Sequence, residues 1–188
     1  MKTNFRELLF RIWYWYVNKV DKNAEVLFMN YGYSEKDQQL TLSNQHESNR
    51  YSIQLYHHLA SATELNNKDI IEIGCGRGGG LSYVTEAFTP ASARGIDLDK
   101  RAVRFCNKFY THDNLSFSQG NAQKLELAND AFDVVLNVES SHRYPDMKAF
   151  LGEVYRILRK DGYFLFTDFR YDYEMEELKK ELENSGLR

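Results

Sequence analysis

The sequence predicts an α/β protein with a Rossmann-like, open and mostly parallel sheet covered by helices on both faces. One observation is the alternation of short apolar runs with segments of helical spacing after residue 69. This alternation favours parallel strands joined by right-handed helical crossovers. The other observation is a glycine-rich loop at residues 72–78, which leaves the first strand and enters a helix. Because sheets of this type bind ligands beyond the carboxyl ends of their strands, the loop marks the expected site.

The individual elements follow from the same patterns. Short apolar runs predict strands at residues 69–73, 94–98, 115–117, 132–138 and 163–168. Helical spacing predicts helices at residues 81–88, 100–110, 147–158 and 173–184. Gly162 is expected to cap the third of these helices.

Residues 1–60 are predicted to form a helical cap or lid, and residues 61–188 the core. Helical spacing is present at residues 3–20 and 47–59, whereas residues 24–45 look irregular. Charged residues interrupt the first helix, which is shorter than the roughly 20 apolar residues of a membrane span. We interpret it as an amphipathic helix packed on the domain, with contact to a membrane surface as the alternative.

Composition argues against several partners. A net charge of -3 without a basic run gives no electrostatic footprint for nucleic acid. The five histidines show no ligand pattern, so no metal site is expected. The spacing of Cys75 and Cys106 suits neither a disulfide framework nor a metal site, which indicates a reducing, cytoplasmic setting.

The glycine loop carries the first chemical signal. Glu72 is followed by Gly74, Gly76 and Gly78 at alternate positions, so the backbone can approach a ligand closely and turn helix N–H groups toward it. This acid-x-G-x-G-x-G pattern resembles the first motif of class I S-adenosylmethionine (SAM) dependent methyltransferases. The resemblance implies that these four residues bind SAM. A tight turn without a ligand is the alternative for the loop alone.

Two later segments agree with that resemblance. Asp97 ends the second strand twenty-three residues after Gly74, a place where an acid can accept hydrogen bonds from both ribose hydroxyls. Leu98 is then expected to lie against the adenine. Asn121 stands where the family commonly has an acid that meets the adenine amino group, and its amide oxygen can accept the same bond. The backbone of Ala122 is expected to serve the adenine ring.

A narrower resemblance comes from residues 137–146 and 162–170. Both are similar to phthiotriol/phenolphthiotriol dimycocerosate methyltransferases, which methylate lipid hydroxyls, and to small-molecule O-methyltransferases with a His after strand four and an Asp after strand five. Residues 28–33 and 54–58 fit the lipid-type group as well.

The resemblance implies a catalytic pair. His142 follows the fourth strand and Asp168 ends the fifth, so they are expected to emerge side by side. His142 would take the proton of an acceptor hydroxyl while Asp168 orients the imidazole. Glu139, and Asn137 through its backbone, are expected to contact the methionine moiety of SAM. In the alternative interpretation, His142 only packs in a loop and Asp168 is a solvated strand end.

The family's sheet has seven strands, of which the last two form an antiparallel hairpin. The chain stops at Arg188, soon after the predicted helix at residues 173–184, so the last two strands are expected to be missing. The strand at residues 163–168 would then lie at an open edge, which favours self-association into a homo-oligomer. Either the chain is a fragment or another chain covers the edge.

Together these patterns predict a SAM-dependent methyltransferase that acts on a hydroxyl of a lipid, polyketide or other apolar small molecule. A carbon or nitrogen acceptor is an alternative within that class. The alternative from another class is a truncated SAM-binding protein without turnover, which acts as a binding or regulatory module.

Overall fold

The computed structural model describes residues 25–35, 40–44 and 46–187. The helix predicted at residues 3–20 lies outside them. The strands are β1 (Asp69–Ile73), β2 (Ser92–Asp97), β3 (Leu115–Gln119), β4 (Phe132–Val138) and β5 (Leu158–Thr167). The α-helices are α1 (Arg50–Ala60), α2 (Gly79–Phe88), α3 (Lys100–Phe109), α4 (Met147–Ile157) and α5 (Asp172–Asn184). Short 3-10 helices lie at Glu47–Asn49 and Ser141–Arg143.

The strands form one sheet in the order β3-β2-β1-β4-β5, and each neighbouring pair is parallel. The chain builds outward from β1 to β3 on one side and then crosses back to β4 and β5 on the other. The carboxyl ends of β1 and β4 therefore flank the point where the strand order reverses, and a crevice opens there. The predicted fold class, a parallel Rossmann-like sheet between helices, is confirmed.

Each face of the sheet carries its own apolar cluster, because successive side chains of a strand point to opposite faces. On β1, Ile70 belongs to the cluster that packs against α1, α2 and α3. Ile71 and Ile73 belong to the cluster that packs against α4. Glu72 shares the face of Ile70 and is fully buried there, so the sheet places a carboxyl group inside an otherwise apolar layer.

The predicted cap at residues 1–60 is described only in part. Within it, α1 packs against α2, and Ile53 and Ala60 of α1 are fully buried in the cluster on that face of the sheet. The division into a cap and a core stays a prediction. Of the helices in the described residues, none has both the length and the apolar character needed to cross a bilayer.

The end of α4 differs from the sequence prediction. α4 passes directly into β5, so Gly162 lies within a strand and does not cap the helix. A Cβ atom at position 162 would lie 2.9 Å from the carbonyl oxygens of Arg159 and Asp133. Glycine is required here by close backbone packing, near the point where the β4–β5 register shifts.

Candidate functional site

A cavity of about 1220 Å³ opens at the carboxyl ends of β1, β2 and β4. Its floor is formed by the glycine loop and the ends of these strands, and residues 26–31 line it from outside the sheet. We call residues 26–31 the strap. The cavity therefore lies in the crevice that the strand order creates, and segments distant in sequence enclose it.

The glycine loop forms the part of the wall that follows β1. Gly74 and Gly78 have φ angles of 79° and 75°, a left-handed conformation that only glycine adopts at little cost. A Cβ atom at Gly74 would lie 2.0 Å from Oγ of Ser140, whereas one at Gly78 would meet the ring of Phe117 at 2.8 Å. Gly74 and Gly76 line the cavity, while Gly78 permits the packing behind it.

Asp97 ties the end of β2 to the glycine loop. One oxygen of its carboxylate accepts a hydrogen bond from the backbone N–H of Gly76 at 2.9 Å, and the other from that of Asp99 at 2.8 Å. Asp97 is 8% exposed and lines the cavity, as does the exposed Leu98. Asp99 caps α3 by accepting from the N–H of Arg101, as expected of an acid at that position.

Asn121 and Ala122 line the cavity next to the end of β3. The amide oxygen of Asn121 accepts a hydrogen bond from the N–H of Gln123 at 3.0 Å, so it closes a local turn. The contact to an adenine that the sequence predicts for this oxygen stays a prediction.

Asn137 is a predicted binding residue that, like Glu72 and Gly78, does not line the cavity. It is fully buried in β4. Its Nδ2 donates to the carbonyl oxygen of Ile73 at 2.7 Å and lies 3.1 Å from Oγ of Ser140 and 3.2 Å from the hydroxyl of Tyr144. Asn137 thus joins the end of β1 to the segment after β4.

Glu139 lines the cavity directly after β4. It has a left-handed φ of 45°, and its Oε2 accepts a hydrogen bond from the N–H of Tyr31 at 2.8 Å. Burial raises the pKa of the Glu139 carboxyl, and the bond from Tyr31 opposes that effect. Glu139 therefore connects the strap to the sheet.

His142 and Asp168 meet beyond the carboxyl ends of the paired strands β4 and β5. Nδ1 of His142 lies 2.8 Å from Oδ1 of Asp168, whose side chain is fully buried. The Asp168 carboxylate also accepts from the hydroxyl of Ser141 at 2.7 Å and the N–H of Phe169 at 2.8 Å, and pairs with Arg170 at 3.1 Å. Burial alone would raise the pKa of Asp168. The hydrogen bonds from His142 and Ser141, with the nearby positive charges, outweigh it and lower that pKa to about 2.

The predicted pair is thus brought together, with only His142 on the cavity wall. The imidazole packs on the ring of Phe169 at a centroid distance of 4.3 Å, and that ring meets Tyr31 edge-on at 5.1 Å. The strap, the imidazole and the residue after Asp168 therefore form one aromatic wall.

The sequence singled out residues 28–33 and 54–58 only through their resemblance to the lipid-type group. It did not predict that the strap lines the cavity or that Arg77 anchors it. Arg77 of the glycine loop is 1% exposed, lies 3.5 Å above the ring of Phe105 and donates through Nε to the carbonyl oxygen of Val26 at 3.1 Å. Tyr56 of α1 also lines the cavity and donates to the buried Glu72 at 2.6 Å. An irregular segment has no periodicity from which its contact with a distant loop can be read.

Within the described residues, no group of three or more His, Cys, Asp or Glu side chains is placed to hold a metal ion.

Comparison with known proteins identifies the family. The family described as "Methyltransferase domain" matches residues 71–166. A fatty-acid O-methyltransferase from Mycolicibacterium smegmatis is 44% identical over 176 residues, which make up 93% of this chain and 64% of that enzyme. A phthiotriol/phenolphthiotriol dimycocerosates methyltransferase from Mycobacterium tuberculosis is 40% identical over 182 residues, or 95% of this chain and 67% of that enzyme.

A solved structure agrees at the level of the fold. A SAM dependent methyltransferase from Aquifex aeolicus matches with a TM-score of 0.59 and 19% identity, over 70% of this chain and 78% of that one. The chain described here belongs to the methyltransferase domain family. It spans slightly less than two thirds of the fatty-acid enzyme, at 64%, and about two thirds of the phthiotriol enzyme, at 67%.

The cavity fits SAM, the methyl donor that this family implies. The Asp97 carboxylate can accept bonds from ribose hydroxyls, and the exposed Leu98 offers an apolar surface to a flat base. Behind the glycine loop, Oε2 of Glu72 is buried without a hydrogen-bond partner among the described residues. A buried carboxylate of this kind favours a nearby positive charge, and the amino-acid end of SAM carries an ammonium group.

Proposed function

We propose that this protein transfers a methyl group from SAM to a hydroxyl oxygen of a lipid, polyketide or other apolar small molecule. The observation that carries the proposal is the hydrogen-bonded pair of His142, which lines the cavity, and Asp168, whose side chain is buried. SAM supplies an already activated methyl group. The chain has to align the acceptor and remove its proton.

At the cofactor end, we assign the ribose hydroxyls to Asp97 and the adenine to Leu98, Asn121 and Ala122. All four line the cavity that the glycine loop also lines, which supports the assignment. Glu139 is assigned to the methionine moiety because it lines the cavity directly after β4. The buried Asn137 contributes only by holding the end of β1.

At the acceptor end, Asp168 determines which ring nitrogen of His142 carries the proton. Since the pKa of Asp168 is lowered to about 2, its carboxylate is ionised at neutral pH. It therefore favours the tautomer with the proton on Nδ1 of His142, which lies 2.8 Å away, and Nε2 becomes the basic nitrogen. The same charge stabilises the imidazolium that forms when Nε2 accepts a proton.

The class of acceptor is inferred from the wall around this pair. Met29, Tyr31 and Phe169 line the cavity and are all more than a third exposed, so they offer apolar surface to an aliphatic or aromatic acceptor. The names of the two relatives, a fatty-acid and a phthiotriol methyltransferase, support a lipid-like molecule. A hydroxyl must lose a proton on methylation, whereas a carboxylic acid is already ionised at neutral pH. Only a hydroxyl acceptor needs a base, so the presence of the His142–Asp168 pair favours a hydroxyl.

The test is methyl transfer from labelled SAM to a long-chain alcohol, an alkylphenol and a fatty acid of matched chain length. Labelled ether as the main product supports the proposal. With a hydroxyl acceptor, His142→Ala should lower turnover by roughly 10²–10⁴-fold, which is the usual contribution of a general base to the reaction rate. His58→Ala, on the exposed side of α1, is the matched control. Binding of SAM without transfer to any oxygen acceptor would instead favour a binding module.

A cytoplasmic location stays a proposal, supported by two free and buried thiols, Cys75 and Cys106. The expectations of no nucleic-acid partner and of a homo-oligomer likewise stay predictions. Gel filtration and a filter-binding assay with DNA and RNA would test them.

A further inference from the structure

Beneath the glycine loop lies a buried pair that the proposed reaction does not use. The hydroxyl of Tyr56, in α1, donates to Oε1 of Glu72 at 2.6 Å. Glu72 is fully buried and Tyr56 is 7% exposed. The other carboxylate oxygen, Oε2, has no hydrogen-bond partner among the described residues. An ionised carboxylate in this position is costly unless a donor or a positive charge compensates it.

The pair lies directly behind the cavity. Tyr56 itself lines the cavity, as do Ile73 and Cys75, which stand on either side of Gly74 just after Glu72. The ring of Tyr56 reaches this place because residue 80, at the start of α2, is glycine: a Cβ atom there would lie 1.8 Å from Cζ of Tyr56. The sequence of α2 thus makes room for the one side chain that binds Glu72.

The surroundings of Glu72 oppose its ionisation. Burial raises the pKa of its carboxyl to about 7, the negative charge of Asp97 adds to that effect, and the bond from Tyr56 opposes it. The remaining titratable groups that interact with Glu72 are Cys75, Cys106 and Tyr110. Burial raises the pKa of each of them, so they are uncharged at neutral pH. Within the described residues, the hydrogen bond from the Tyr56 hydroxyl is what stabilises the Glu72 carboxylate.

We propose that Tyr56 is a positioning residue, which holds Glu72 as a carboxylate behind the glycine loop and so favours the ammonium group at the amino-acid end of the cofactor in the cavity. The inference rests on the proposed function, because it assumes that SAM binds here. It adds a residue outside the glycine-loop pattern to the cofactor site. It also makes cofactor affinity depend on pH, since the ionised form of Glu72 stabilises the ammonium group that SAM and S-adenosylhomocysteine share. Affinity should therefore rise as the pH increases through about 7.

The test is calorimetric titration with S-adenosylhomocysteine, which carries the same amino-acid end as SAM and has no methyl group to transfer. The titration is repeated at several pH values between about 5.5 and 8.5, a range that spans the ionisation of Glu72. In Tyr56→Phe we expect affinity near neutral pH to fall about tenfold, the worth of one hydrogen bond to a charged group. The pH at which affinity rises should also be higher than in wild type, because loss of the Tyr56 hydrogen bond raises the pKa of Glu72. Tyr83→Phe is the matched control, because the Tyr83 hydroxyl bonds His57 of the same helix α1 at 2.8 Å without touching Glu72.

Glu72→Gln gives a second route that does not depend on Tyr56. This variant should bind S-adenosylhomocysteine more weakly. Because glutamine does not ionise, its affinity should no longer change with pH near neutrality. If the wild-type protein does not bind S-adenosylhomocysteine, the proposed function itself fails. If it binds, but Tyr56→Phe keeps the wild-type affinity and pH profile, or behaves like Tyr83→Phe, the role of Tyr56 is overturned.

Discussion

The two ends of the cavity are built in different ways. The cofactor end consists mostly of backbone: the left-handed glycine loop and the turn after β2, joined through Asp97 to the N–H groups of Gly76 and Asp99. The acceptor end consists of side chains from three distant segments, which are the strap, the 3-10 helix after β4 and the residues after β5. A backbone site can be encoded by a short local pattern. A site made of distant side chains depends on the whole fold.

Gly74, in the cofactor end, packs against Ser140, which lies next to the 3-10 helix of the acceptor end. We expect the substitution with the largest effect to be at this contact. Gly74→Ala places a Cβ atom 2.0 Å from Oγ of Ser140 at a φ of 79°, so both backbone strain and overpacking arise. We expect a loss of about 3 kcal/mol or more in the free energy of unfolding and loss of cofactor binding. Denaturant titration measures the first effect and calorimetry the second.

Gly152→Ala is the matched control for that variant. Position 152 lies in α4 with nothing within 4 Å of a Cβ atom, so alanine there should stabilise the helix by about 0.5–1 kcal/mol. A Gly74→Ala protein as stable as wild type would mean that the two ends are not held together at this contact.

The next prediction isolates the acceptor end. The pKa of Asp168 is lowered from 3.8 to about 2, so its ionised form stabilises the fold above pH 4 and this contribution is lost as the pH falls toward 2. Asp168→Asn should therefore lower the free energy of unfolding by about 2 kcal/mol near neutral pH. The difference from wild type should shrink below pH 4.

Urea denaturation at several pH values measures that difference. The Asp168→Asn protein should still bind S-adenosylhomocysteine with near wild-type affinity, because Asp168 does not line the cavity. A difference in stability that is constant between neutral pH and pH 2 would contradict the ionised, hydrogen-bonded role of Asp168.

The smallest effect is expected at the connection between the strap and the sheet. Glu139→Ala removes the acceptor for the N–H of Tyr31, a bond worth about 1 kcal/mol, whereas Glu139→Gln keeps an oxygen in place. Hydrogen exchange at Tyr31 should become about fivefold faster in the alanine variant and change little in the glutamine variant. Equal protection in both variants and in wild type would show that other contacts hold the strap.

The same contrast explains what could be predicted from the sequence. The bounds predicted for β1 and β4 are confirmed, because each strand is a mainly apolar run that only single polar residues interrupt. Gly74, Gly76 and Asp97 are placed at the cavity as expected, since their spacing along one strand–loop–strand unit is local. The meeting of His142 and Asp168 followed from the neighbouring positions of β4 and β5.

The failures concern contacts whose partners are far apart or buried. Gly162 was predicted to cap a helix, although close packing of β5 on β4 is what requires it. The pairing of Tyr56 with Glu72 depends on how α1 packs on α2, which no spacing rule gives. The strap has no periodicity, and its place over the cavity depends on Arg77 and Glu139, which bond to its first and last residues, Val26 and Tyr31.

The central claim is that the two ends act separately, one binding the cofactor and the other removing the acceptor proton. The most direct measurement is a comparison of His142→Ala and Asp97→Ala by calorimetric binding of S-adenosylhomocysteine and by single-turnover methyl transfer at saturating cofactor. We expect His142→Ala to keep its affinity within about twofold and to lose roughly 10²–10⁴-fold in transfer rate. We expect Asp97→Ala to lose about 1–3 kcal/mol of binding free energy and to regain most of its rate at saturation. Parallel loss of binding and transfer in both variants, or unchanged transfer in His142→Ala, would contradict the account.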